Sequence, residues 1–396
     1  MRVVVVGAGV AGLRAAEATR KAGFTGEIIV VGDEPRMPYN RPPLSKDGIG
    51  AEFDPGTLPF RVSKAAAGVE WRLGTRVTAA DLAGRTVTLA DGTRLDWDGL
   101  VAATGARSRR LTLPGPEAGR HAIRTLDDLE GLRKDLDRAR RIVVVGGGFI
   151  GCEVAAAAAE RGLAVTVVEP EPLPMLRPLG TELAATLLRR HEAHGVEFRL
   201  GVAPVSFDGA TRAESVLLSD GTVVAADVVV ESVGSVLATE WLDGNGLDLR
   251  NGVLTDDRLR VVGRDEAGRD DVVAAGDIAR FPHPLFGGAA QRAEHWTVAT
   301  DTARHAGAAL GRHLSGGDPA AGRPFTAVPT FWSDQYEMRI QSFGVTGLYD
   351  VRVLEGDLDG DVAVGYHRDG RLVGVVLIGL SDRYQHYRTL LASAAG

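Results

Sequence analysis

Two glycine clusters carry the plainest chemistry in the 396-residue chain, Gly7-Ala8-Gly9-Val10-Ala11-Gly12 and Gly146-Gly147-Gly148-Phe149-Ile150-Gly151. In a G-x-G-x-x-G sequence the first glycine permits a tight turn, the second lets the backbone approach a diphosphate, and the third lets a helix pack closely on a strand. The diphosphate then rests on a helix N-terminus, where free amides and the helix dipole favour negative charge. Each cluster is followed by a second apolar run ending in an acid: Ile28 to Val31 then Gly32-Asp33, and Val165 to Val168 then Glu169. Asp33 lies 26 residues after Gly7 and Glu169 lies 23 after Gly146, spacings compatible with an acceptor for adenosine ribose hydroxyls. One such cluster also serves plain packing turns. Two, each flanked by strand, helix and acid, imply two dinucleotide sites, and the natural pairing is a tightly held flavin with a visiting nicotinamide.

The elements that must hold these clusters repeat in the same order. The β-branched run Val3 to Val6 and the helical pattern Leu13 to Ala22 surround the first cluster; Ile142 to Val145 and an Ala-rich helix reaching about Arg161 surround the second. Asp-Gly pairs at Asp91-Gly92 and Asp220-Gly221 predict hairpins, each leading to an apolar strand and a glycine at Leu100 to Gly105 and Val228 to Gly234. The latter runs Val230-Glu231-Ser232-Val233-Gly234, a polar ending for which the sequence offers no reason. Later, Ala275-Gly276-Asp277 follows the strand Val272 to Ala274, so Asp277 either accepts from a ligand hydroxyl or caps a helix. Beyond the cluster Gly316-Gly317-Asp318-Pro319, alternating runs at Met338 to Phe343, Val362 to Tyr366 and Leu372 to Ile378 predict a small antiparallel sheet, with a helix from about Tyr384 to Ala394. The fold class is therefore α/β: two tandem Rossmann-like FAD- and NAD-binding domains and a C-terminal α+β domain. The expected boundaries are 1–108 with 235–317, 109–234, and 318–396.

Composition bounds the function. A length of 396 residues suits two or three domains at roughly 150 residues each. The formal net charge of −7 gives no basic stripe for nucleic acid. A single cysteine, Cys152, excludes an internal disulfide or a protein dithiol as redox centre, and its place on an Ala-rich helix suits a small core residue. His295 has no partners at metal-ligand spacing, so no metal site is expected. The N-terminus enters a structured pattern at once, lacks the features of a signal peptide, and no run reaches about 18 apolar residues. The expected location is cytoplasmic, without membrane association.

Seven segments together carry a resemblance that spans nearly the whole chain: Gly7 to Gly12, Arg41-Pro42-Pro43-Leu44-Ser45-Lys46, Ala103-Thr104-Gly105, Gly146 to Glu153, Ala275 to Asp277, Glu294-His295-Trp296, and Phe331-Trp332-Ser333-Asp334. The sequence resembles the FAD-dependent, NADH-using ferredoxin reductases that serve haem-thiolate monooxygenases and Rieske-type dioxygenases, a glutathione-reductase-like group. The combination of RPPLSK with FWSD separates that group from disulfide reductases.

The resemblance implies roles at matching positions. Gly7, Gly9 and Gly12, Asp33 (Glu34 being the lesser candidate), Arg41, Val77, Thr104, Gly105, Arg124, Asp277, Glu294, His295, Trp296 and Trp332 would surround FAD. Gly146, Gly148, Phe149, Ile150, Gly151 and Glu169 would bind NADH, Glu169 repelling a 2′-phosphate and so disfavouring NADPH. Lys46 and Glu153 would pair beside the flavin as the catalytic residues, the alternative being a purely structural ion pair. Trp332 is either core or the flavin edge facing the partner. Arg177 is similar to a structural arginine. The implied partner is an iron–sulfur ferredoxin, expected to be of the 2Fe-2S type, feeding an oxygenase, with Arg304, His305, Arg312 and His313 as docking candidates. Two other readings remain: an NADH oxidase or peroxidase of the same fold, whose active-site cysteine the segment Arg41 to Lys46 lacks, and a regulatory FAD/NADH protein resembling apoptosis-inducing factor.

Overall fold

The computed structural model describes residues 1–263, 268–287, 289–318 and 322–395. Pro319, part of the expected linker cluster, lies outside them. A six-stranded sheet has the order Arg260–Val262, Gly268–Ala274, Gly99–Ala102, Arg2–Val6, Glu27–Val31, Glu70–Arg72. Its strands run parallel except the first, which pairs antiparallel with the second. Val3 to Val6 and Ile28 to Val31 are buried, as unbroken apolar strands of a parallel sheet covered on both faces must be. The helices Val10–Lys21 and Trp296–Leu314 pack on each other so closely that a Cβ on Gly307 would stand 2.3 Å from the Ala15 carbonyl oxygen.

The second sheet is parallel throughout, in the order Glu197–Leu200, Ala164–Glu169, Arg141–Val145, Val228–Glu231, Arg120–His121. Both expected hairpins form, each within a three-stranded antiparallel sheet. The polar end of the strand Val228–Glu231 has a physical reason here. The Glu231 carboxylate accepts from Arg120 Nε at 2.7 Å and from the Leu111 amide at 2.7 Å, and Arg110 also reaches it. Arg120, on the neighbouring edge strand, lies with its guanidinium 4.0 Å from the Phe207 ring centroid. The side chains of Arg120 and Glu231 are only 1 % and 0 % exposed. The pair pins the edge strand and the 109–111 segment to the sheet. Glu231→Ala leaves a buried guanidinium unpaired and is expected to lower stability by about 3–5 kcal/mol, read as a fall in the urea midpoint at unchanged slope. A midpoint equal to the parent's would remove the pair from the account.

The C-terminal residues form a five-stranded antiparallel sheet in the order Thr330–Gln335, Met338–Gly344, Arg371–Ile378, Val362–Arg368, Asp350–Gly356. Tyr387 and Leu391 of the helix Tyr384–Ala395 pack with Phe343, Val375 and Leu377 on one side. Leu183 and Leu187, from the helix Thr181–Ala193 beside the second sheet, pack with Ile340, Val364, Tyr366 and Val376 on the other. Two of these strands were not expected. Asp350–Gly356 is an edge strand with charged, largely exposed side chains, and Thr330–Gln335 carries polar residues at buried positions. Among the described residues no helix is long and apolar enough to cross a membrane.

Candidate active site

A cavity of about 1080 Å³ opens between the first sheet, the helix Phe149–Glu160 and the C-terminal strand Thr330–Gln335. That is at the upper end of the range for small-molecule sites. The first glycine cluster forms one wall. Gly7 has φ +116°, and a Cβ there would stand 2.2 Å from the Ala103 carbonyl oxygen. A Cβ on Gly12 would stand 1.8 Å from the Gly7 carbonyl oxygen, so no larger residue lets this helix approach its strand. Gly9 differs: a Cβ there would meet nothing within 4 Å. The one glycine not required by packing is therefore the one facing open cavity. The helix it begins has no side-chain cap and no acid in its first turn, which leaves its amides for an anion.

The second cluster repeats this pattern. Cβ atoms on Gly146 and Gly151 would come to 2.3 and 1.9 Å of backbone oxygens, whereas Gly148 again faces open space. Of this cluster only Phe149 and Ile150 line the cavity; Gly146, Gly148, Gly151 and Glu169 lie outside it. Glu169 accepts from the Gly147 amide at 2.6 Å and the Glu171 amide at 2.9 Å, which fastens the strand end to the glycine turn. Ile150 is 44 % exposed, an uncovered apolar side chain at the edge of the cavity.

Asp33, Glu34, Arg41, Val77, Thr104, Gly105, Arg124, Asp277, Glu294, His295, Trp296 and Trp332 all line the cavity. The two acids are distinguished by what they bind. Glu34 is held by Arg41 and by the Tyr39 hydroxyl at 2.6 Å, which fixes the start of the RPPLSK segment. Asp33 is exposed and pairs, among the described residues, with Arg76 at 2.7 Å. Arg41 also donates to the Arg124 carbonyl at 2.6 Å, and Arg124 pairs with Asp277 at 2.7 Å. Asp277 raises the Arg124 pKa despite the opposing effect of burial, so the guanidinium stays charged. Thr104 donates to the Ala238 carbonyl at 2.5 Å. Burial pushes the His295 imidazole down to about 4, against the pull of Asp277 and Glu294, so this ring is neutral at neutral pH.

Lys46 and Glu153 meet as expected, with Nζ 2.7 Å from Oε1 and the side chains 13 % and 4 % exposed. Two residues that sequence reasoning quoted but gave no role complete the arrangement: Ser45 donates to Glu153 Oε2 at 2.5 Å and Ser333 to Oε1 at 2.5 Å. Strand geometry explains how the C-terminal domain reaches in. Alternate residues of Thr330–Gln335 point to opposite faces, so Phe331 packs 4.7 Å from Phe149 while Ser333 meets Glu153, one helical turn further on. Trp332 turns the other way, 5.8 Å edge-on from Trp296 at the start of the long helix. Period two against a helical spacing of four was the available signal.

Other expectations come out differently. His305, a docking candidate, is half-buried with its ring 5.5 Å from Phe325, because the helix turns that face inward. Arg177 makes its structural contact at the surface, where its side chain is 81 % exposed and paired with Glu171. Cys152, by contrast, is where it was expected: it is fully buried, and burial pushes its thiol pKa up, so it is inert core.

A family model described as pyridine nucleotide-disulphide oxidoreductase matches residues 1–303, and one described as reductase C-terminal matches residues 330–396. The chain belongs to the ferredoxin reductases of that family. Rhodocoxin reductase of Rhodococcus erythropolis is 36 % identical over 99 % of this chain and 90 % of its own length. The ferredoxin–NAD(+) reductase component of the anthranilate 1,2-dioxygenase system of Burkholderia cepacia is 37 % identical, over 99 % of this chain and 94 % of its own. The reductase in the crystal structure of the covalent putidaredoxin reductase–putidaredoxin complex superposes with a TM-score of 0.89 at 31 % identity, covering 99 % of this chain and 93 % of that one. Ferredoxin reductases of this family use FAD and NAD(H). The cavity fits FAD on its own features: the open Gly9, the uncapped helix N-termini at Val10 and Trp296, and two buried ring nitrogens, His295 Nδ1 and Trp296 Nε1, with no partner among the described residues.

Proposed function

We propose that this chain accepts a hydride from NADH and passes electrons singly to an iron–sulfur ferredoxin that serves an oxygenase. The observation that carries the proposal is the position of the largely buried Lys46–Glu153 pair: on the wall of the cavity of the first glycine cluster, next to Phe149 and Ile150 of the second. Bound FAD would supply the conversion between two-electron and one-electron transfer. The chain's residues do the rest. Gly9 and the uncapped start of its helix would present free amides to the diphosphate, Gly7 and Gly12 would allow the turn and the close helix–strand approach that bring those amides there, Asp33 would accept from the adenosine ribose beside Val77, and Arg41, Thr104, Gly105 and Glu294 would shape the wall. Arg124 and Asp277 hold the ribityl segment, and His295 and Trp296 place their helix's amides against the ring. At the second site Gly146, Gly148 and Gly151 receive the NADH diphosphate, Glu169 accepts from the ribose 2′-hydroxyl, and Phe149 and Ile150 cover the nicotinamide end. Lys46 places a cation where negative charge grows on transfer, and Glu153 fixes its direction. Trp332 closes the edge toward the partner.

No cysteine is among the described residues lining the cavity, which weighs against an oxidase or peroxidase that uses a thiol. The names of the relatives support a ferredoxin as acceptor, and a cytoplasmic location would give access to NADH. On the helix Trp296–Leu314, Arg304 is 59 % exposed, about 12 Å along the axis from Trp296, with Asp301 as a 3.5 Å neighbour. It is the docking residue we favour.

The test is anaerobic addition of NADH to the yellow protein, followed by a purified 2Fe-2S ferredoxin. Rapid bleaching and ferredoxin reduction are expected; a long-lived charge-transfer complex with no ferredoxin reduction favours the regulatory reading. In steady state, Arg304→Glu is expected to raise the ferredoxin KM about five- to tenfold while leaving NADH-to-ferricyanide turnover intact. If both activities fall together, Arg304 is not a docking residue.

A further inference from the structure

Glu153 receives three donors from two separate parts of the chain, and two of the donors share one oxygen: Lys46 Nζ at 2.7 Å and Ser333 Oγ at 2.5 Å both meet Oε1, while Ser45 Oγ meets Oε2 at 2.5 Å. Ser333 does not stand alone. Its oxygen accepts from Gln335 Nε2 at 3.0 Å, and Gln335 Oε1 lies 2.8 Å from His191 Nε2. Ser333, Gln335 and His191 are 0 %, 1 % and 0 % exposed, so the chain of contacts is dry. Burial lowers the His191 pKa, which leaves a neutral ring with one N–H. Because Nε2 faces a carbonyl oxygen, that nitrogen must carry the proton, and every donor then points one way: His191 to Gln335, Gln335 to Ser333, Ser333 to Glu153. Reversing the Gln335 amide would set its carbonyl against Ser333 Oγ, which could then donate to the amide and leave the carboxylate one donor short. A buried polar chain of this kind is costly unless complete, and apolar side chains would pack this strand face equally well, as Phe331 does two residues earlier. The polar residues are therefore retained for what they do to Glu153.

We infer that Ser333, oriented by Gln335 and His191, is a positioning residue that shares Glu153 Oε1 with Lys46, so that its O–H dipole offsets part of the carboxylate's negative field beside the lysine ammonium. With the hydroxyl present, part of the charge on Oε1 is offset by the O–H dipole, and more of the cation's field stays available to the cavity. Without it, the charge on Oε1 is left less compensated and cancels more of the Lys46 field, so less positive potential reaches a ring that would become anionic on reduction. The chain crosses from the second domain into the C-terminal sheet, so the seating of that sheet sets the charge balance at the site.

The inference rests on FAD occupying the cavity beside Lys46: a colourless parent would defeat that reading and this one together, whereas a yellow parent whose variants keep its potential would defeat this one alone. Ser333→Ala is expected to raise the ratio of oxidised to reduced flavin against a reference dye about three- to tenfold, equivalent to a midpoint ~15–30 mV more negative for two electrons. The NADH dissociation constant should stay within about twofold while the bleaching rate falls. Gln335→Met, which removes only the residue that orients Ser333, is expected to shift the ratio the same way by a smaller factor, and it keeps the test available if the alanine variant folds poorly. A midpoint equal to the parent's in either folded variant overturns the inference, because loss of packing alone would lower the melting temperature without moving the potential.

Discussion

Lys46→Met is expected to slow the bleaching of flavin by NADH about 10²-fold, with the yellow colour retained. Methionine matches the length and apolar stem of lysine, so the change removes one charge from a buried site without opening a hole. What disappears is a cation fixed before the reaction starts, 13 % exposed and held at 2.7 Å by a carboxylate that cannot itself move. Such a charge acts strongly because water neither screens it nor has to reorganise around it. Stability should fall as well, toward the lower end of the ~3–5 kcal/mol usual for breaking a buried pair, since Ser45 and Ser333 continue to donate to Glu153. Stopped-flow bleaching under anaerobic conditions gives the rate, and a thermal melt gives the stability. A rate within about threefold of the parent would reduce the pair to an ion bridge that only anchors a loop.

Changing single glycines should separate folding from cofactor binding. Gly12→Ala places a Cβ 1.8 Å from the Gly7 carbonyl oxygen, a contact only a backbone shift can relieve. It is expected to yield insoluble or colourless protein, with a loss of several kcal/mol, on the order of the most severe core substitutions. Gly9→Ala meets nothing within 4 Å and sits at φ −85°, where alanine is unstrained. The apoprotein should melt near the parent's temperature, while FAD affinity drops by tenfold or more, about 1.4 kcal/mol, because the new methyl stands where a diphosphate must approach. Gly148→Ala should do the same to NADH and leave the flavin in place. If Gly9→Ala binds FAD as the parent does, the first cluster is not the diphosphate site.

These two experiments mark out what the sequence alone settled. The paired glycine clusters, their apolar strands and the terminal acids are local: each needs only neighbours a few residues away, and turn sterics and helix-end electrostatics leave glycine and little else at those positions. The parallel strands of the two large sheets, the hairpins at Asp91-Gly92 and Asp220-Gly221, and the C-terminal helix were legible for the same reason. Contacts between distant segments were not. Glu231 read as an anomaly because its partner Arg120 lies 111 residues away on another strand, and a buried charge makes sense only with its counter-ion in view. His305 looked like a basic surface residue until the position of Phe325 showed which side of its helix is covered. The strand Thr330–Gln335 hid its periodicity because its buried face carries serine and glutamine, residues that a hydrophobic pattern counts as exposed. Local backbone preference and apolar spacing thus determined the architecture and its two nucleotide sites. The balance of charge around Lys46 was decided by tertiary structure, because burial and hydrogen-bond partners, supplied by three remote segments, govern how strongly one ammonium acts on its surroundings.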